Sequence, residues 1–184
     1  MTEQEWLSEV EPLAMLAHLR GQVTDRKLLL FCCACCLQTA HAEDPVDFSR
    51  FMKTLEYADN LANVALLSEW DDPTLPSNPR RWASKFATWS QWREEPDALD
   101  PAIVVSTLRH IVGDPFHPPA TLPQVSATVR DLAETVYQQN QSAVGPLHDA
   151  LLDAGLSELA EHFRDPAEWH PKGCWALDLI LGKS

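Results

Sequence analysis

Glycine is scarce in this chain, at 6 of 184 residues, and runs of β-branched residues are few. Strands and the tight turns between them draw on both, so a sheet-based architecture is disfavoured. Positive charge is also short: 14 lysines and arginines stand against 27 acidic residues, for a formal charge of −13. Such a chain repels phosphate backbones, which argues against nucleic acid as a direct partner. The longest apolar stretch, Leu28 to Leu37, falls far short of the ~20 residues a membrane-spanning helix needs. The opening Met1-Thr2-Glu3-Gln4-Glu5-Trp6 is acidic and has no charged-then-apolar export pattern. The expectation is therefore a cytoplasmic chain with no membrane association. Thiols stay reduced in that compartment, so the five cysteines argue against a disulfide framework. Gly-x-Ser-x-Gly, His-Glu-x-x-His and dinucleotide fingerprints do not occur. Gly182-Lys183-Ser184 resembles the end of a phosphate loop only superficially, and reads as a frayed terminus.

Leucine and alanine are abundant, and apolar residues recur at helical spacing. Hydrophobic residues make up 45% of the chain, enough for a packed core. Caps and breakers divide it into helices. Thr2 and Glu5 form a capping box, Pro12 breaks or restarts that first unit, and Gly21 ends it. Thr24-Asp25 caps a helix over 25–42. Asp44-Pro45 opens the next, which runs toward Trp70. Three prolines between Asp71 and Pro79 mark a loop, and a helix over 80–94 follows. Asp100-Pro101 opens a helix that ends near Gly113, and Asp114-Pro115-Phe116-His117-Pro118-Pro119 is a turn that cannot be helical. Further helices are expected over 124–140, 146–154, 156–164 and 172–181. The sum is one all-α domain over 1–184, with about seven to nine helices by the spacing of caps and breakers.

Four of the five cysteines lie in Cys32-Cys33-Ala34-Cys35-Cys36, and the fifth is Cys174. At ~100° per residue, Cys36 falls about 40° from Cys32, Cys33 about 100° and Cys35 about 300°. Leu30, Phe31 and Leu37 fill the remaining directions. A helix apolar all round is buried and central, and cysteine packs there as a small hydrophobe. The same helix can offer one ion two thiolates, at i and i+3 or i+4. A zinc site then needs two ligands from elsewhere, and His170 with Cys174 are the natural pair. The alternative metal set is thus Cys33, Cys36, His170 and Cys174. Pro171 reads as a first-turn proline. That places Cys174 in the first turn of the last helix, where the dipole lowers a thiol pKa, and makes a nucleophilic role a third reading.

Trp82, Phe86 and Trp89 share one helix face with Trp92 alongside. Such a stripe is core when buried and a binding hot spot when exposed, so Trp82, Trp89 and Trp92 are the candidate partner-binding residues. Arg80, Arg81 and Lys85 sit near the start of that helix and read as a solvated face. His110 and His117 flank Gly113-Asp114-Pro115, where the prolines that follow point to a structural turn.

Several segments, taken together, resemble a planctomycete-type paralogous family of uncharacterised helical proteins. They are Glu5-Trp6-Leu7, Asp25-Arg26-Lys27-Leu28 with Phe31 and Cys33-Ala34-Cys35-Cys36, Tyr57-Ala58-Asp59, and Leu108-Arg109-His110-Ile111 with Gly113-Asp114-Pro115-Phe116. Leu147 through Gly155, Gly173-Cys174-Trp175, Asp178-Leu179 and Leu181-Gly182-Lys183 complete the set. Their order holds from end to end. The resemblance implies a helical domain and carries no activity. Cysteines that the family tends to place after Ala-Gly and after a tail histidine are here Leu156 and Phe163.

With no catalytic constellation, the leading expectation is a non-enzymatic, cytoplasmic interaction module, adaptor or immunity-like, whose acidic surface takes a basic protein partner without any cofactor. A zinc-binding helical protein is the alternative, and a cysteine-dependent enzyme centred on Cys174 the third.

Overall fold

The computed structural model describes residues 1–8, 11–38, 55–56, 100–119, 122 and 125–183. Among them are eight α-helices and no strand: α1 (Glu3–Ser8), α2 (Pro12–His18), α3 (Asp25–Leu37), α4 (Pro101–Val112), α5 (Ala127–Tyr137), α6 (Val144–Asp153), α7 (Ser157–Glu161) and α8 (Trp175–Leu181). The expected all-α fold is what the protein has. The chain divides into two compact units, Met1–Phe116 and His117–Ser184, each with its own apolar core.

In the first unit the helix starts follow the caps. The Thr2 backbone N–H donates to Glu5 Oε2 at 2.7 Å, and the Glu5 N–H donates to Thr2 Oγ1 at 3.2 Å. This reciprocal pair satisfies amide groups that a helix start leaves orphaned. The bonds hold the Glu5 carboxyl below its ordinary value. Pro12 begins α2, and Gly21, at φ 84°, takes the left-handed conformation that lets the chain turn after it. Thr24 Oγ1 accepts from the Lys27 N–H at 3.3 Å to start α3. Asp100 accepts from the Ala102 N–H at 2.9 Å, and Pro101 opens α4.

Every residue of α3 from Leu28 to Cys35 is buried, so Cys32, Cys33 and Cys35 are core packing in the first unit. α3 packs against α4, as does α2. Polar contacts pin α3 at both ends. Lys27 Nζ donates to the Ile111 carbonyl at 3.0 Å, one of the orphan carbonyls at the end of α4. Gln38 donates to the buried Thr107 hydroxyl at 2.8 Å. Arg109 reaches back to α1, its guanidinium donating to the Trp6 carbonyl and, at 3.0 Å, to the Leu7 carbonyl. A cation on the last carbonyls of a short helix satisfies them and complements its dipole.

In the second unit α5 packs against α6 and α8, and α6 carries α7. Its core includes Val129, Ala133, Val136, Tyr137, Leu147, Leu151, Phe163, Leu177 and Ile180. Ser126 caps α5, its hydroxyl accepting from the Val129 N–H at 3.2 Å. α6 begins two residues ahead of Pro146, behind a 3-10 turn over Gln141–Ala143 that Asn140 caps. The last two helices are shorter than the sequence suggested. α7 stops at Glu161, short of Asp165, where the following Pro166 disfavours a helical backbone. α8 starts at Trp175, with Cys174 as its N-cap. Cys174 therefore stands at the N-cap, one position ahead of the first helical turn expected for it. The tail is held through Lys183. Gly182 takes φ 69°, the Lys183 N–H reaches the Asp178 carbonyl at 2.9 Å, and Lys183 Nζ sits 4.0 Å from the centre of the Tyr137 ring. Expectations for 44–70 (apart from the helical pair Leu55–Glu56), 71–79 and 80–94 fall outside the described residues.

Two outcomes follow for the first unit. Arg109→Ala should destabilise it by about 1–3 kcal/mol, the usual cost of losing a charge-assisted hydrogen bond, here to the part-buried Trp6 carbonyl, with hydrogen exchange accelerated over residues 3–8. Unchanged protection there would show that the Arg109 clamp does not hold α1. The Glu5 carboxyl, lowered in the folded chain, stabilises it above the ordinary value of 4.5 and loses that contribution as pH falls through the depressed value. Glu5→Gln should thus differ in stability from the parent at neutral pH and converge with it in acid. A gap that persists in acid would contradict this assignment.

Candidate metal centre

The tail of the second unit brings together three side chains from three short segments. His162 is the residue after α7, His170 lies in the following loop, and Cys174 caps α8. His162 Nε2 lies 3.1 Å from Cys174 Sγ, and His170 Nδ1 lies 4.0 Å from the same sulfur. The two imidazole rings are 5.0 Å apart and meet at 64°. One ligand atom of each of the three lies within 4.8 Å of the other two. His170 is 1% exposed and Cys174 fully buried, while His162 is half-buried.

Local sequence explains this convergence. Asp165 folds the chain back after α7: its side chain accepts from the Ala167 N–H at 2.9 Å, and its carbonyl accepts from the Glu168 N–H at 3.1 Å. Pro171 disfavours a helical backbone at His170. The turn Pro171-Lys172-Gly173-Cys174 closes with the Cys174 N–H donating to the Pro171 carbonyl at 3.0 Å. Its third residue, Gly173, has φ 85°; a type II turn requires a positive φ there, and glycine supplies it without strain. The turn brings Cys174 back beneath His170. Cys174 is then extended (φ −49°, ψ 128°), and its carbonyl accepts the first bond of α8, from the Asp178 N–H at 2.9 Å.

The surroundings are aromatic. The Phe163 ring lies 4.8 Å from His170, and the Trp175 ring 5.0 Å from His162. Apolar walls keep water off the sulfur and hold the imidazoles in one orientation.

The donor set suits a transition metal. Two imidazole nitrogens and a thiolate are the borderline-soft ligands that zinc takes. With zinc–sulfur near ~2.3 Å and zinc–nitrogen near ~2.0 Å, a tetrahedral angle separates sulfur from nitrogen by about 3.5 Å. The observed 3.1 and 4.0 Å fall on either side of that spacing, so small side-chain shifts admit an ion.

Of the residues singled out from the sequence, His170 and Cys174 come together here. Cys33 lies on α3 in the core of the first unit. Cys36 is on the same helix, but its side chain is outside the described residues, as are Trp82, Trp89 and Trp92. His110 is in the last turn of α4 and half-buried; His117 is exposed. The sequence reading passed over His162. Its signal was the run His162-x7-His170-x3-Cys174, which has no helical or zinc-knuckle spacing to draw notice.

No protein-family model, curated protein or solved structure matches the chain.

Cys174 is fully buried, and labelling of its thiol distinguishes a packed sulfur from an activated nucleophile. In the native chain Cys174 should stay unlabelled by an aromatic disulfide reagent and react once the chain is unfolded in urea. Native labelling of Cys174 faster than free cysteine, read by peptide mass spectrometry, would instead favour the nucleophile.

Proposed function

We propose that the second unit is a zinc-binding helical module in which His162, His170 and Cys174 hold the ion. The observation that carries this reading is the convergence of three nitrogen and sulfur donors within 4.8 Å from three separate segments. A tetrahedral ion takes one more ligand than these three. The role is structural. The ion ties the end of α7, the loop after it and the start of α8 into one knot, in a unit of about 70 residues, a size at which a hydrophobic core alone gives modest stability. The chain is non-enzymatic and cytoplasmic, a compartment whose reducing poise keeps Cys174 available as a thiolate.

Chain purified without added metal, and without a metal-affinity tag, should carry about one zinc per molecule, because structural zinc binds tightly. Cys174→Ser and His170→Ala should each lower that content and reduce the thermal midpoint of the second unit, and chelation of the parent should reproduce their effect. Less than ~0.2 equivalents of any transition metal in the parent would sink the proposal.

A second reading rests on charge. The surface from α6 to the loop after α7 exposes Asp149, Asp153, Glu158, Glu161 and Asp165, while the exposed Arg164 of that stretch is already paired with Glu161. With a net charge of −13 over the chain, this face supports the interaction-module reading, its partner a basic protein. Such binding is steered by charge and weakens as salt screens it. A synthetic lysine-rich peptide should bind the chain at about 50 mM salt and be released near 0.5 M, where the Debye length is only a few ångström. Changing Asp153 and Glu158 to lysine should weaken the binding. Equal affinity for the parent and that double variant would place the binding elsewhere or make it nonspecific.

A further inference from the structure

Two of the three donors in the second unit stand at helix ends, and the backbone of those helices fixes them. His170 does not. It sits in the stretch between Glu161 and Trp175, which has no helix, and contacts from outside the stretch add to its own turns in holding it. The turn after α5 supplies them. Gln141 donates to the carbonyls of Pro166 and Glu168. Gln139 reaches the donor itself: its side-chain amide donates to the His170 carbonyl at 3.3 Å, and its side-chain oxygen accepts from the Trp169 indole N–H at 3.0 Å.

Gln139 occupies an expensive backbone position for this purpose. Its φ is 66°, and among the described residues it is the sole non-glycine with positive φ. The Gln139 N–H bonds to the Val136 carbonyl at 2.8 Å, and the Asn140 N–H to the Thr135 carbonyl at 3.2 Å. This is the helix ending whose left-handed residue is normally glycine. The same unit ends α6 that way with a glycine: Gly155 at φ 72°, with the Leu156 N–H on the Leu151 carbonyl at 2.9 Å. The two endings have the same geometry, and only the one beside the metal donors keeps a side chain. A strained left-handed glutamine is retained where its amide does something a glycine cannot.

We propose that Gln139 is a positioning residue of the metal centre: through the His170 carbonyl and the Trp169 indole it sets where the His170 imidazole stands relative to Cys174 and His162. The inference rests on the zinc reading above. Hydrogen bonds behind the ligands hold donors in register, and losing one typically costs metal affinity about tenfold or more.

The test separates positioning from mere stability, because Gln139→Gly removes the clamp and the backbone strain together. Metal-stripped full-length parent, Gln139→Gly and Gln139→Ala are titrated with cobalt(II), read by the thiolate-to-cobalt charge-transfer and d–d bands, and then with zinc in competition. Both variants should bind one cobalt per chain with affinity lowered about tenfold and with shifted d–d bands. The metal-free thermal midpoint of Gln139→Gly should equal or exceed the parent's, since glycine relieves the left-handed strain. Gln139→Gly binding cobalt with the parent's affinity and spectrum would overturn the proposal. A metal-free midpoint falling in step with affinity would also overturn it, by making Gln139 a fold determinant only. A parent chain that binds no cobalt refutes the zinc reading itself, and is told apart by the parent titration alone.

Discussion

Burial of apolar helix faces carries both units, because the longest described helix, α3, has only 13 residues. A helix of that length is marginal in water on its own, and most here are shorter still, so each persists only while packed against a neighbour. α3 meets this demand in the first unit by being apolar in every direction and buried from Leu28 to Cys35. The helices of the second unit meet it with one face each, arranged around Tyr137, Leu147, Leu151, Phe163 and Leu177.

Short helices have a second consequence: much of their backbone is at the ends, where carbonyls and amides need partners. Long polar side chains from other segments supply them. Arg109 serves α1, and Lys27 serves α4. Gln139 and Gln141 serve a stretch that has no helix at all. The three donors in the tail belong to this pattern. His162 follows one short helix and Cys174 precedes another, and each helix end is fixed by packing that runs from α7 to α6, from α6 to α5 and from α5 to α8. Under the proposed zinc reading, an ion there would extend the same solution, adding a few strong bonds to several weak contacts between ends.

Much of the fold was legible in the sequence, because caps and breakers act locally. Thr2 with Glu5, Asp100-Pro101 and Gly113 marked helix boundaries close to where they stand. Where a boundary depended on more than neighbouring residues, the reading slipped. Pro171 looks like a helix opener, but Gly173 turns the chain once more, and α8 begins at Trp175. The all-round apolar pattern of α3 correctly indicated burial. The site was half legible. His170 and Cys174 drew attention by their spacing, whereas His162 gave no local sign, because its partners lie 8 and 12 positions away across a loop.

The sequence alone thus determined the helical class, the start and stop of most described helices, the acidic charge and the burial of the cysteine helix. These follow from backbone sterics, capping hydrogen bonds and periodicity, which a few consecutive residues settle. Only the tertiary structure decided that His162 joins His170 and Cys174, and that Gln139 reaches across to the loop that carries His170. Those contacts join segments that are separate along the chain. They exist because α5, α6 and α8 must pack to bury their apolar faces, and that packing, rather than any motif, brings the donors within reach of one ion.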